Sequence, residues 1–122
     1  MFKKVINWFK AREEAKKLEN WFEVSWDEDY IYRKVSPPKK EAWNDKFKWS
    51  DIESICFSAT DYMDSDDILF FTTERPESYV VPTEAKGGND LWYEVLNRKL
   101  FDSELAVKAA TSPEGIFCWP KP

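Results

Sequence analysis

From Trp21 onward most of this chain consists of short runs in which apolar and polar residues alternate, broken at intervals by Pro- or Asp-rich turns. A period of two suits strands and does not suit helices. Phe22, Val24 and Trp26 alternate with Glu23 and Ser25, Asp27-Glu28-Asp29 supplies a turn, and Tyr30-Ile31-Tyr32-Arg33-Lys34-Val35 returns as the second arm of a β-hairpin. Ser36-Pro37-Pro38-Lys39-Lys40 cannot continue a ladder, because proline lacks the N–H, so a loop follows and a third strand is expected near residues 42–49. Residues 50–60 open like a capped turn and continue as a strand, with Ile55 and Phe57 set against Cys56 and Ser58. An acidic loop covers residues 61–67. Two further apolar runs, Ile68-Leu69-Phe70-Phe71-Thr72-Thr73 and Ser78-Tyr79-Val80-Val81, predict a second hairpin turning at Glu74-Arg75-Pro76-Glu77. Ile116-Phe117-Cys118-Trp119 adds a last edge strand.

The period lengthens at both ends. Phe2, Val5, Ile6 and Phe9 fall at i, i+3, i+4 and i+7 and are followed by good helix formers, which predicts an amphipathic helix over residues 1–19. It carries a balance of +3 against −8 for the rest of the chain. Such a helix either packs on its own sheet or lies on an anionic membrane. Its apolar stretch, residues 5–9, is too short for a signal-peptide core or a membrane span. Gly87-Gly88 and the capping candidate Asn89 precede a helix over residues 91–100, and Asp102 or Ser103 caps a second one over 104–110 that stops before Pro113. The expected fold is α+β: one antiparallel, partly curled sheet of five to seven strands, an N-terminal helix and C-terminal helices. At 122 residues this is a single domain spanning 1–122, with residues 20–122 as its body.

Composition narrows the chemistry. There is no histidine, which excludes Ser-His-Asp, Cys-His and His-ligated zinc sites. The net charge of −5 argues against direct nucleic-acid binding, which needs a basic face, and favours a basic partner. The two cysteines allow at most one disulfide, where a small secreted scaffold usually carries more, so a reducing, cytoplasmic setting is expected. Cys56 has no cationic neighbour in sequence to lower its pKa, and both it and Cys118 read as buried, inert thiols.

Two acidic clusters stand out: Asp27, Glu28 and Asp29, and then Asp61, Asp64, Asp66 and Asp67. A calcium loop fails, because with Asp64 as position one, position five is Ile68 and position six is not glycine. The clusters are either solvated loop tips or a patch that steers a basic partner. Gly87-Gly88 lacks the companion residues of a phosphate cradle. No catalytic, cofactor or metal site is expected. With 21 aromatic side chains, some must lie at the surface or in an interface. Trp21, Trp49 and Trp119 read as core, as do Ile52 and Ile55, whereas Trp43, Trp26 and Tyr62 are candidate exposed anchors, the last two beside or within the acidic clusters.

Several short strings follow one another along the chain: Phe47-x-Trp49-x-Asp51-Ile52-x-x-Ile55, Asp66-Asp67-Ile68-Leu69-Phe70, Val81-Pro82-x-Glu84-Ala85-x-Gly87, Leu100-Phe101-Asp102 and Cys118-Trp119. As an ordered set over residues 21–119 they resemble small bacterial immunity proteins of contact-dependent inhibition and related polymorphic toxin systems. The resemblance implies an antiparallel, pleckstrin-homology-like α+β fold and a cytoplasmic protein that binds and neutralises one toxin domain, with a basic nuclease as the expected kind. Interface residues vary among such proteins, so the shared strings maintain the fold. The alternative from another class is a pleckstrin-like lipid- or peptide-binding module; a His-free carboxylate enzyme is a third reading, for which no paired motif is present.

Overall fold

The alternation from Phe22 builds two antiparallel strands, β1 (Phe22–Trp26) and β2 (Tyr30–Val35), joined at Asp27-Glu28-Asp29. In the computed structural model, which describes residues 21–35, 43–59 and 66–120, β3 (Trp43–Lys48) pairs on the other side of β2 and completes a three-stranded sheet in the order β1-β2-β3. A single 3-10 turn, Trp49–Asp51, then redirects the chain into β4 (Ile52–Ala59). With β5 (Asp67–Thr72), β6 (Arg75–Pro82) and β7 (Gly115–Trp119), β4 forms a four-stranded sheet in the order β6-β5-β4-β7. Helices α1 (Gly88–Asn97) and α2 (Ser103–Thr111) lie between β6 and β7 in the chain.

Among the described residues, seven strands and two late helices match the expected α+β class, but the strands divide into two sheets where one curled sheet was expected. The physical reason is the Trp49 turn. The indole of Trp49 donates from Nε1 to the Asp27 carbonyl at 3.0 Å, and its backbone N–H donates to the Asp29 carbonyl at 3.1 Å, so the turn is tied to the first hairpin while β4 departs into another sheet. The expected N-terminal helix, the Pro-Pro loop and residues 61–65 of the expected acidic loop lie outside the described residues.

The main core lies between the inner faces of the two sheets and the helices, and a smaller cluster of Phe22, Val35 and Ala85 stands apart from it. Val24, Ile31 and Phe47 come from the first sheet, Ile55, Ile68 and Phe70 from the second, and Leu91, Trp92 and Val95 from α1. Aromatic rings bridge the layers: Phe47 stacks on Tyr79 with centroids 4.2 Å apart, and Trp92 meets Phe57 at 4.8 Å. Arg33, buried on the inner face of β2, ties the sheets together. It forms a two-pronged bond to Asp45 (2.8 and 2.6 Å) and donates from Nη1 to the Val80 carbonyl of β6 at 3.0 Å. Trp49 and Ile55 are core as expected, and Ile52 packs against it half-buried.

Other expectations change. The second hairpin turns at Thr73-Glu74, and Arg75 and Pro76 belong to β6; a proline is tolerated there because β6 is a sheet edge. Trp119, expected in the core, is 42 % exposed because β7 is the opposite edge strand. Trp21 is half-buried against Phe22. Trp26, expected as an exposed anchor, packs half-buried against the core. The cysteines are not free thiols. Cys56 and Cys118 are register partners on β4 and β7, with Cα atoms 4.0 Å apart, and form a disulfide.

The two adjacent glycines are accounted for by close packing at the start of α1. Gly87 has φ of +83°, and a Cβ there would meet the Val24 carbonyl oxygen at 2.4 Å; a Cβ on Gly88 would meet the Pro82 oxygen at 2.3 Å. Only glycine lets β1, β6 and α1 converge this closely.

Candidate functional site

Helix α1 buries Leu91, Trp92 and Val95 along one stripe, with Leu96 half-buried beside it. Tyr93 is out of phase with that stripe and is 63 % exposed. On α2, Leu105, Ala106 and Ala109 face inward, leaving Val107 65 % exposed. Asp102 starts α2 by accepting the Leu105 N–H at 3.0 Å, which fixes the angle at which the helix leaves α1.

These two out-of-phase side chains flank a groove of about 510 Å³ between the helices. Phe57, Trp92, Leu96 and Ala106 contribute its apolar lining, while Thr83, Asn89 and Ser103 add polar groups. Among the described residues lining it, Asp66 is the one that carries a charge. Its backbone carbonyl accepts the Thr83 N–H at 2.8 Å and the Thr83 hydroxyl at 3.1 Å, which anchors the start of β5 to the α1 entry. An apolar trough with one acidic wall fits a side chain that has an apolar stem and a cationic head.

The sequence-derived residues fall in two places. Asp27, Glu28 and Asp29 form the exposed β1–β2 turn, where Asp27 is committed to structure. Its carboxylate accepts the N–H groups of Asp29 (2.9 Å) and Tyr30 (2.7 Å) and the Tyr32 hydroxyl (2.5 Å). Those bonds, the tyrosine's first, hold its pKa below the ordinary value of 3.8, and the same bond raises that of Tyr32. The Asp27 carbonyl also accepts from Arg98 Nη2 at 3.3 Å, beyond the C-terminal end of α1. Asp66 and Asp67 lie at the other end, near the α1 entry. The ten-residue α1 separates the two acidic places by about 15 Å, so those described do not form one patch. Asp61, Tyr62 and Asp64 lie outside the described residues. Trp43 is on β3 opposite Val35.

Sequence reasoning missed Tyr93 and Val107. The signal was present: each is an apolar residue that breaks the phase of an otherwise regular helical stripe. It also missed the solvent face of the first sheet, where the half-buried Tyr30 and Tyr32 sit beside exposed Lys34, Lys46 and Lys48. The Lys46 ammonium lies 4.3 Å from the Tyr30 ring centroid. Among the described residues no group of three or more Cys, Asp or Glu is placed to hold a metal ion, and no helix is long and apolar enough to cross a membrane. The chain matches no known protein family, no curated protein and no solved structure.

Proposed function

We propose that this protein is a non-enzymatic binding protein that holds a basic partner domain in the α1–α2 groove, as an immunity protein holds the toxin domain it neutralises. The observation that carries the reading is the groove itself: exposed Tyr93 and Val107 flank an apolar trough with Asp66 in its wall. Aromatic side chains beside an apolar trough are the usual anchors of protein–protein contacts, and acidic groups on a chain of net charge −5 favour fast encounter with a basic surface. The immunity role and the toxin partner come from the sequence resemblance, and the acidic turn Asp27-Glu28-Asp29 is assigned to steering at a distance from the groove. Cytoplasmic action, which the resemblance implies, requires the fold to tolerate an open Cys56–Cys118 pair, since disulfides persist mainly in oxidising compartments. Thiol labelling in intact cells tests that requirement. The function is tested by mixing the protein with the toxin domain encoded immediately upstream of its gene and by scoring growth of cells that express that domain. Complex formation with growth protection supports the reading; absence of both refutes it.

A second reading, a pleckstrin-like module for anionic lipid headgroups, is favoured by Lys34, Lys46 and Lys48 on the solvent face of the first sheet. Flotation with anionic vesicles that is lost in Lys46→Glu/Lys48→Glu would favour it over the first.

A further inference from the structure

Strand β7 ends the second sheet, and its five residues, Gly-Ile-Phe-Cys-Trp, include no charged side chain. Ile116 is 66 % exposed and Trp119 42 % exposed, so the edge is open to solvent. Natural sheet edges are commonly protected by an inward charge, a lysine or a proline within the strand, and the five residues of β7 include none of these.

The register identifies the free backbone groups. Cys56 and Cys118 face each other with Cα atoms 4.0 Å apart, the close spacing of a non-hydrogen-bonded antiparallel pair. Gly115, Phe117 and Trp119 therefore direct their N–H and C=O groups at β4. Ile116 and Cys118 direct theirs away from the sheet, toward solvent. What such an edge recognises is the main chain of another extended strand.

We propose that the strand it takes is β7 of a second copy, antiparallel and centred on Phe117, joining two four-stranded sheets into one continuous sheet. The strand is self-complementary in that register. Ile116 of each copy stands opposite Cys118 of the other, each pair exchanging both of its main-chain bonds. Gly115 stands opposite Trp119, so the largest side chain of the strand covers the residue without one, and Phe117 meets Phe117 across the axis. Each of these pairings sets apolar against apolar or large against small, and none sets like charges opposite one another. The interface is an isologous twofold one. A single strand pair buries less than the ~1,000 Å² of a stable complex, so association depends on concentration.

Sedimentation equilibrium of the intact, oxidised protein from about 10 μM to about 1 mM tests this, the range where so small an interface closes. The average mass should rise from 14.5 kDa toward twice that value. Ile116→Pro removes one outward N–H and leaves the β4 ladder intact, because proline is accepted on the solvent side of an edge strand. Ile116→Lys adds the gatekeeping charge without touching the backbone. Both variants, with unchanged circular dichroism, should stay at the monomer mass. Three outcomes would overturn the proposal: a wild-type protein monomeric at the highest concentration, a dimer unaffected by Ile116→Lys, or a dimer that runs as a covalent species on a non-reducing gel.

Discussion

Replacing Asp45 with alanine tests whether Arg33 joins the two sheets. Arg33 is only 7 % exposed and meets Asp45 through two bonds of 2.8 and 2.6 Å, while its Nη1 reaches across to the Val80 carbonyl of β6. Removing one partner of a buried pair leaves a desolvated charge behind and costs about 3–5 kcal/mol. Asp45 is 31 % exposed, so water replaces part of what is lost, and Asp45→Ala should cost about 3 kcal/mol, the lower end of that range. The double variant Arg33→Met/Asp45→Ala removes the buried guanidinium, whose carbon lies 5.0 Å from the Tyr79 ring centroid, together with its carboxylate partner, and should recover at least half of the loss. Urea unfolding followed by the fluorescence of the seven tryptophans supplies both numbers. An Asp45→Ala loss below about 1 kcal/mol, the range of a surface pair, or a double variant weaker than the single one would refute the assignment.

The Thr72 hydroxyl is buried without a hydrogen-bond partner, so Thr72→Val should raise stability by about 1 kcal/mol in the same assay. The Cys56–Cys118 bond closes a loop across 62 positions, and Cys118→Ala should lower stability by about 2–4 kcal/mol, with a reducing agent having a comparable effect on the wild type only. Asp27, whose folded pKa lies below 3.8, contributes stability that is present above that value and lost as pH falls through the lower one. The gap between wild type and Asp27→Asn should therefore be widest near neutrality and narrow below about pH 4, read from urea midpoints across pH.

Much of the strand pattern was legible because each strand has one buried face, and a period of two survives in sequence wherever that holds. Phe22, Val24, Ile31 and Ile55 follow it, and so do the caps and stripes of the two late helices. What was not legible depended on long-range pairing. Nothing local to Cys56 announces Cys118, since only the β4–β7 register brings them together. The division into two sheets rests on an indole reaching back from Trp49 to Asp27, a contact across 22 positions. Trp119 has the composition of a core residue and is exposed only because its strand lies at an edge. At the site, the acidic residues were visible but their placement was not: Asp27 serves its own turn, and Asp66 stands beside a groove whose flanking residues, Tyr93 and Val107, are identified by helical phase rather than by charge.

The central claim is that the α1–α2 groove holds a basic partner, and the most direct measurement is the affinity of the upstream-encoded toxin domain for groove variants. Val107→Asp and Tyr93→Ala change exposed side chains on helices whose core faces are elsewhere, so urea midpoints should stay within about 0.5 kcal/mol of wild type. Titration calorimetry should nonetheless show each variant binding at least about tenfold more weakly, a loss of about 1.4 kcal/mol or more. Wild-type affinity in both variants, with the complex intact, would contradict the account and place the interface on another face of the molecule.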